Sequence, residues 1–442
     1  MKRGERMEGF KYQKVYDVII KDIELGYIKQ HDKIPSVRTM ATNLRVSKTT
    51  VENAYAQLLA EGYIYAKEKK GYYVDVSLSH RKVEPLIEEP VVIPKKYRYD
   101  FSGRSVDHES FNFDIWHKYI KRALYQKEEL MRYGEPFGEL CLKKALQKYS
   151  REYRGVRRPV QNFVIGAGFQ TLLTHICGLF HADKVVGIAE GGFKQAEEVF
   201  KNCHMRIKKI PMDKEGISIE ELKKVNIDVL YINSSSGGYH GHPIKQQRRN
   251  EILMYAKQNR VYIIEDDYNG ELKFNTKPME AMTKYDDNYS IYLGSFSKLL
   301  LPSIRISYMA LPKNLLQTYQ NQFYHYHQTA SKLEQIALAM YIEDGQLARH
   351  LKRLRKQYAI KGNEMLEKLQ QAFPNNNFHL YETSLKITMS VEETKLSTYI
   401  AVAKEHNILV TKNSENEIAL SFSGILRNDI DLAIQKLEEI WK

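Results

Sequence analysis

At 442 residues the chain is too long for one ordinary hydrophobic core, so two or three domains are expected. Its 43% hydrophobic and 27% charged residues describe a soluble globular protein; no run approaches the roughly 20 apolar residues of a membrane span, and the opening MKRGERMEGF lacks the apolar core of a signal peptide. The net charge of +13 permits a polyanionic partner, yet residues 1–76 hold 14 Lys/Arg against 10 Asp/Glu, only +4, so charge alone argues weakly for nucleic acid.

Residues 11–25 carry Val15, Val18, Ile19 and Ile23 at helical spacing, and Gly26 marks the turn after them. Pro35 and Ser36 open a second helix, with Ser36 as N-cap and Val37, Met40, Ala41 and Leu44 as its apolar face. Ser47 caps a third helix whose Val51, Ala54, Tyr55, Leu58 and Leu59 form one stripe. A short helix, a tight turn and a helix opening SKTT make helix-turn-helix geometry, with Lys48, Thr49 and Thr50 toward the major groove. Past Gly62, YIYAKEKKGYYVDV reads as two short strands around Lys69, Lys70 and Gly71, a hairpin wing whose basic tip suits phosphate or the minor groove. The plain alternative is a small helical domain with a solvated basic face, and the wing argues against it.

The run KIPSVRTMATNLRVSKTTVENAYAQLLAEGYI, followed by KKGYYV, resembles a GntR-type winged helix across nearly all of residues 11–76. The resemblance implies DNA contacts from Arg38, from Ser47, Lys48, Thr49 and Thr50 where the recognition helix opens, and from Gly71 at the wing. Lys48 stands where arginine is usual, which removes bidentate reading of guanine. Residues 1–76 are thus expected to bind DNA. Residues 77–98, with Pro85, Pro90 and Pro94 and no regular period, read as an extended linker to a second domain, 99–442.

Beyond the linker, apolar strands at 163–165, 185–189, 207–210, 229–232, 261–264, 291–293 and 304–309 alternate with helical segments, which predicts an α/β domain with a mainly parallel sheet. Ligands of such sheets bind beyond the carboxyl ends of the strands. GAGFQTLL, after the first strand, is a glycine turn opening a helix whose free amides suit a phosphate. EDDYNGEL, after the fifth, offers Asp266 to a protonated ring nitrogen and Tyr268 to a phenolic oxygen. Two adjacent carboxylates could instead hold a metal, but no His or Cys sits at ligand spacing.

GSFSK, after the sixth strand, sets Lys298 between apolar runs, where desolvation disfavours the ammonium form and leaves a nucleophilic amine. Ser295, Ser297 and Arg305 supply hydroxyls and a fixed cation, as a phosphate requires. A lysine amine beside a phosphate cradle is the chemistry of pyridoxal phosphate; a snorkelling surface lysine is the bland alternative. Upstream, Tyr133 in RYGEPFGEL is a further phosphate donor. A long helix over 333–369, a strand over 378–390, a helix over 399–406, a strand over 418–422 and a closing helix over 428–441 predict a small α+β domain at the end.

Together these motifs resemble the aspartate-aminotransferase fold, fold type I of the pyridoxal-phosphate enzymes. With the winged helix in front, residues 11–441 resemble the MocR subfamily of GntR regulators. The resemblance implies that Lys298 forms the cofactor Schiff base, Asp266 faces the pyridine nitrogen and Tyr268 faces O3′. It assigns the phosphate to Ser295, Arg305, the backbone of Gly168 and Phe169, and the Gln170 side chain, with Phe193 stacked on the ring. Tyr133 matches a tyrosine that reaches the phosphate of the partner subunit, which implies a head-to-tail homodimer.

Three departures stand out. Glu190-Gly191-Gly192-Phe193 lacks the family's Pro and Tyr, and the loop over 234–241, SSSGGYHG, has serine or glycine where an amide usually donates to O3′. His240 in that loop reads as a loop residue rather than a base. IALSFSG lacks the arginine that grips a substrate carboxylate, and Arg427 lies past it as a surface residue at a helix start. The expected protein is a dimeric DNA-binding regulator whose second domain senses an amine, an amino acid or pyridoxal phosphate itself, with at most weak transaminase activity. A working aminotransferase with an accessory DNA domain is one alternative, disfavoured by the missing amide and arginine. A decayed pocket kept for dimerisation is another, disfavoured by Lys298, Asp266, Tyr268 and Arg305. Cys141, Cys177 and Cys203 show no disulfide or metal spacing, so a reducing cytoplasm is the expected location.

Overall fold

Two serines set the geometry of the first unit. In the computed structural model α1 (Lys11–Glu24), α2 (Val37–Leu44) and α3 (Lys48–Ala60) follow in order. Ser36 Oγ accepts the Thr39 N–H at 3.2 Å and Ser47 Oγ accepts the Thr50 N–H at 3.1 Å, each satisfying a free amide at a helix start. Arg45, at φ 51°, makes the left-handed turn that separates α2 from α3. Val15, Ile19, Ile23, Met40, Val51 and Leu58 meet in one core. Val18, expected on the apolar face of α1, is 39% exposed and borders a surface groove with Leu44 and Val46. β1 (Ile64–Lys67) and β2 (Gly71–Val74) pair antiparallel with Lys67 opposite Gly71, and buried Ile64 and Val74 anchor this wing to the helices.

The structure describes residues 11–75, 95–180, 182–238, 242–275, 278–286 and 288–442, and the chain divides into two units, Met1–Lys95 and Lys96–Lys442. Of the expected linker, residues 77–94 lie outside the described residues. Its last residue, Arg98, donates its N–H to Asn407 O at 2.9 Å, and the short strand Tyr99–Asp100 runs parallel to Ile408–Leu409.

The second unit is built on β3 (Phe163–Gly166), β4 (Val185–Ala189), β5 (Arg206–Ile210), β6 (Val229–Ile232), β7 (Tyr262–Asp266), β8 (Ser290–Ser295) and β9 (Ser307–Ala310). They form one seven-stranded sheet in the order β3-β9-β8-β7-β6-β4-β5, parallel throughout except that β9 runs against both its neighbours. Successive residues feed opposite faces: Ile264 packs with Val186 and Val229 on one side, Ile263 with Leu230 and Ile232 on the other. That double burial is why the strands read as near-continuous apolar runs. The last strand starts at Ser307 rather than 304. Pro302–Ile304 forms a 3-10 turn and Arg305 sits at φ 49°, so the chain turns back before it can extend.

The expected helix over 333–369 is two helices, Lys332–Glu343 and Gln346–Ala372, broken where Gly345 takes φ 71°. The expected strand over 378–390 is a hairpin, Phe378–Tyr381 against Lys386–Ser390. Glu417–Ser421 and the polar strand Thr411–Ser414, which had no apolar pattern to betray it, complete a four-stranded antiparallel sheet. Helices Glu393–Glu405 and Ile430–Trp441 belong to the same lobe. Among the described residues no helix is long and apolar enough to cross a membrane.

Candidate functional site

Lys298 lies in the turn after β8, where buried Phe296, Leu299 and Leu300 hold the backbone; the lysine itself is only 8% exposed. Its Nζ donates to the Ser105 carbonyl at 2.7 Å and to Ser423 Oγ at 3.0 Å, and Ser423 Oγ also donates to Ser105 O at 2.8 Å. Burial pushes the amine down to about 8, with Asp100 opposing the shift. A surface lysine would show neither feature. Ser105 and Ser423 gave no signal in the sequence, because they lie 193 and 125 residues from Lys298 and are ordinary serines in ordinary contexts.

The three acids at the end of β7 and just past it, Glu265, Asp266 and Asp267, serve three different ends. Glu265 accepts the Met282 N–H at 2.7 Å and the Thr283 N–H and hydroxyl at 2.9 and 2.8 Å, fixing the chain ahead of β8. Asp267 takes Arg154 Nε at 2.5 Å and Nη2 at 2.8 Å, the Ser235 hydroxyl at 2.5 Å and the Tyr292 hydroxyl at 2.9 Å. Burial alone would raise the Asp267 carboxyl, but the Arg154 guanidinium outweighs it and holds the group below the usual carboxylate range. Asp266 is 6% exposed and accepts one hydrogen bond among the described residues, from the Tyr231 hydroxyl at 2.5 Å. Burial first, and then the neighbouring Asp267 and Glu265 charges, push it up to about 7 against the pull of Tyr231. Tyr268 is half-buried, and burial raises its hydroxyl to about 12. Among the described residues no group of three or more His, Cys, Asp or Glu could hold a metal.

The sheet register gathers the expected phosphate residues. Ser295 of β8 lies opposite Ser307 of β9, which lies opposite Gly166 of β3. The Ser295 hydroxyl is 3.1 Å from that of Ser297 and accepts from Ser307 Oγ at 3.2 Å. Two residues past Gly166, Gly168 at φ 88° caps α4 (Phe169–Gly178). A Cβ there would lie 2.5 Å from Arg305 Nη2, so only glycine lets the guanidinium sit against the helix start. Gln170 is exposed in the first turn. Phe193 is 44% exposed, edge-on to Phe169 at 5.6 Å, and Phe169 is edge-on to Tyr231 at 6.3 Å. Tyr133 is 90% exposed and stacks on His327 at 5.2 Å.

The altered loop is rebuilt rather than merely stripped of its amide. Gly237 N–H donates to Asn233 O at 2.7 Å, and a Cβ at Gly237 would lie 2.3 Å from that oxygen, so no side chain fits in this conformation. Residues 239–241, His240 among them, lie outside the described residues. Arg427 forms an exposed ion pair with Glu364 at 2.7 Å.

In the first unit, Arg38, Lys48 and Thr49 are exposed at the starts of α2 and α3. Ser47 Oγ is engaged as a cap and lies 2.7 Å from Thr50 Oγ1, so these two hydroxyls first serve the helix. Gly71, at φ 109°, allows the tight wing turn after Lys69 and Lys70.

Residues 11–74 match the family described as bacterial regulatory proteins, gntR family. The chain is 34% identical to the HTH-type transcriptional regulator YdeL of Bacillus subtilis (strain 168), over 98% of this chain and 96% of that protein. It is 27% identical to the probable rhizopine catabolism regulatory protein MocR of Rhizobium meliloti, over 79% and 75% of the two chains. In structure, 77% of the chain superposes on 91% of the α-aminoadipate aminotransferase LysN of Thermus thermophilus, solved with N-(5′-phosphopyridoxyl)-L-leucine, with a TM-score of 0.68 and 22% identity. A gntR helix-turn-helix joined to an aminotransferase-like unit, in a chain that pairs end to end with a regulator of the same build, places this protein in the MocR subfamily of GntR-type transcriptional regulators.

Proposed function

We propose that this regulator binds pyridoxal phosphate at Lys298 and uses that site to sense an amine or amino acid, or the cofactor level itself, and so adjusts its hold on operator DNA. The observation that carries the reading is the Lys298 amine, buried and held down to about 8 in the turn after β8, with the buried Asp266 carboxyl ending β7, the strand paired beside β8. The residues present fit the cofactor. Gly168 leaves open the space a Cβ would fill beside Arg305, and Ser295, Ser297 and Ser307 line the same end of the sheet with hydroxyls. Asp266 has one carboxylate oxygen without a partner among the described residues. When bound, pyridoxal phosphate supplies an aldehyde that condenses with amines and a ring that accepts electron density.

The chain's own groups would divide the work. Arg305, the α4 amides and the serine hydroxyls hold a dianionic phosphate. Asp266 keeps a proton on the ring nitrogen, Tyr268 donates to the ring oxygen, and Phe193 covers the ring face. Lys298, largely neutral above about pH 8, is the nucleophile. Exposed Tyr133 is available to a second copy, in keeping with a head-to-tail homodimer in the cytoplasm. Such a dimer presents two winged helices to paired half-sites, through Arg38, Lys48, Thr49, Thr50 and the wing at Gly71. The test is the absorbance of the purified protein with added pyridoxal phosphate. A visible band in the wild type that is absent from Lys298→Ala supports the reading, and a wild type that stays colourless refutes it.

A further inference from the structure

Tyr231 was not singled out by any motif, yet its hydroxyl is committed to a single atom. It stands on β6 directly opposite Ile264 of β7 and is 3% exposed. Its O–H donates to Asp266 Oδ2 at 2.5 Å. The ring is held edge-on by Phe169 at 6.3 Å and by Phe200 at 5.9 Å, so it has little room to swing its hydroxyl away. Phenylalanine would fill the same volume between those rings. The hydroxyl therefore needs its own explanation, and the partner supplies it. A buried carboxylate with a single hydrogen bond is held in one orientation by that bond alone, leaving Oδ1 for a second group. Burial and the Asp266 charge keep the Tyr231 hydroxyl well above its ordinary range, so it stays a donor at every physiological pH.

We propose that Tyr231 is a positioning residue that fixes the Asp266 carboxylate so that its free oxygen meets a protonated ring nitrogen, and thereby sets the preference for a pyridine ring over a nitrogen-free ring of the same shape. This rests on the pyridoxal-phosphate reading above. Tyr231 is not required to touch the cofactor. Its influence passes through Asp266, so it should vanish when either the ring nitrogen or the carboxylate is removed.

The experiment measures binding of pyridoxal phosphate and of its 1-deaza analogue, which carries a C–H in place of the ring nitrogen, to the full-length protein. Wild type, Tyr231→Phe, Asp266→Asn and the double variant are titrated by absorbance. Tyr231→Phe should weaken pyridoxal phosphate roughly 10- to 150-fold, the effect of one hydrogen bond to a charged group, while changing the analogue by less than about twofold. In the Asp266→Asn background the same substitution should change pyridoxal phosphate by less than about twofold. Equal weakening of both ligands would make Tyr231 a packing residue, and no weakening of either would show the hydroxyl to be idle; each overturns the proposal. A wild type that binds neither ligand removes the cofactor reading itself, and this inference with it.

Discussion

The Lys298 amine donates to the carbonyl of Ser105 at 2.7 Å, joining the turn after β8 to a segment near the start of the second unit. Ser423 completes the arrangement, accepting from the same amine at 3.0 Å. That segment is tied to the small lobe as well, since Ser421 N–H donates to Phe101 O and Asp107 N–H to Ser423 O, both at 2.8 Å. One amine thus reports on three parts of the unit.

Ser423→Ala should make Lys298 more readily neutral. A hydroxyl that accepts from an ammonium favours the charged form, and removing it leaves burial less opposed. The rate at which the visible band forms with pyridoxal phosphate, followed across roughly pH 6–10, should shift toward lower pH by a fraction of a unit. A shift toward higher pH would mean that the hydroxyl supports the neutral amine instead.

Asp266→Asn should stabilise the cofactor-free protein while weakening cofactor binding. The folded carboxyl is raised to about 7 from an ordinary 3.8, so between those values the folded state holds more protons than the unfolded one. Stability contributed by this group is therefore present at low pH and is lost as pH rises toward 7. At pH 8 the ionised group weighs against folding by about 2–4 kcal/mol. The melting temperature of the variant should exceed that of the wild type at pH 8, and the gap should close toward pH 4. A less stable variant at pH 8 would show that the carboxylate is better solvated than its surroundings indicate.

Gly168→Ala tests the phosphate end. The added methyl would lie 2.5 Å from Arg305 Nη2 on a backbone at φ 88°, so both the guanidinium and the helix start must move. A stability loss of about 1–3 kcal/mol in chemical denaturation is expected, with weaker binding of pyridoxal phosphate than of pyridoxal. Equal loss for both aldehydes would place the phosphate elsewhere.

On DNA, Arg38→Ala should weaken binding by about 1–3 kcal/mol if it reads a base, and less if it touches only phosphate. Gel shifts on the DNA flanking the protein's own coding region measure this. An Arg38→Ala/Lys48→Ala double variant that binds as tightly as wild type would show that the interface lies elsewhere on the winged helix.

Most of the architecture was legible because it follows local rules. The SKTT cap, the apolar stripes of α1 to α3 and the apolar runs of the seven-stranded sheet are each written in a few adjacent residues. Gly345 was legible too, but a single glycine inside about 40 residues of helical pattern was outweighed by the residues around it. The site was legible only on one side. Lys298, Asp266, Ser295 and Arg305 sit in motifs after strands, whereas Tyr231, Ser105, Ser307 and Ser423 acquire meaning through pairing across the sheet and between lobes. No local pattern marks a tyrosine as the partner of a carboxylate 35 residues later.

The remaining prediction separates a sensor from an enzyme. An amine effector would take the place of the Lys298 amine at the site, and Lys298 would then keep its hydrogen bonds to Ser105 O and Ser423 Oγ, the arrangement seen here. A change in the bonding of the segment around Ser105 would be the expected route by which an effector alters DNA binding. A coupling of about 1–3 kcal/mol, the usual range, would alter DNA affinity by roughly 5–150-fold. Turnover should be negligible. Gly237 cannot carry the amide that would orient the ring oxygen, and Arg427, committed to Glu364 on the surface, does not stand in for a carboxylate-binding arginine on Glu417–Ser421. Amines and amino acids should be screened by absorbance shift, and each hit assayed for DNA affinity and for keto-acid formation. Hits that shift the spectrum should change DNA affinity and release no more than about one equivalent of product. A ligand that turns over many times while DNA affinity stays constant would establish a catalyst with an attached DNA-binding unit, and the sensing role would fall.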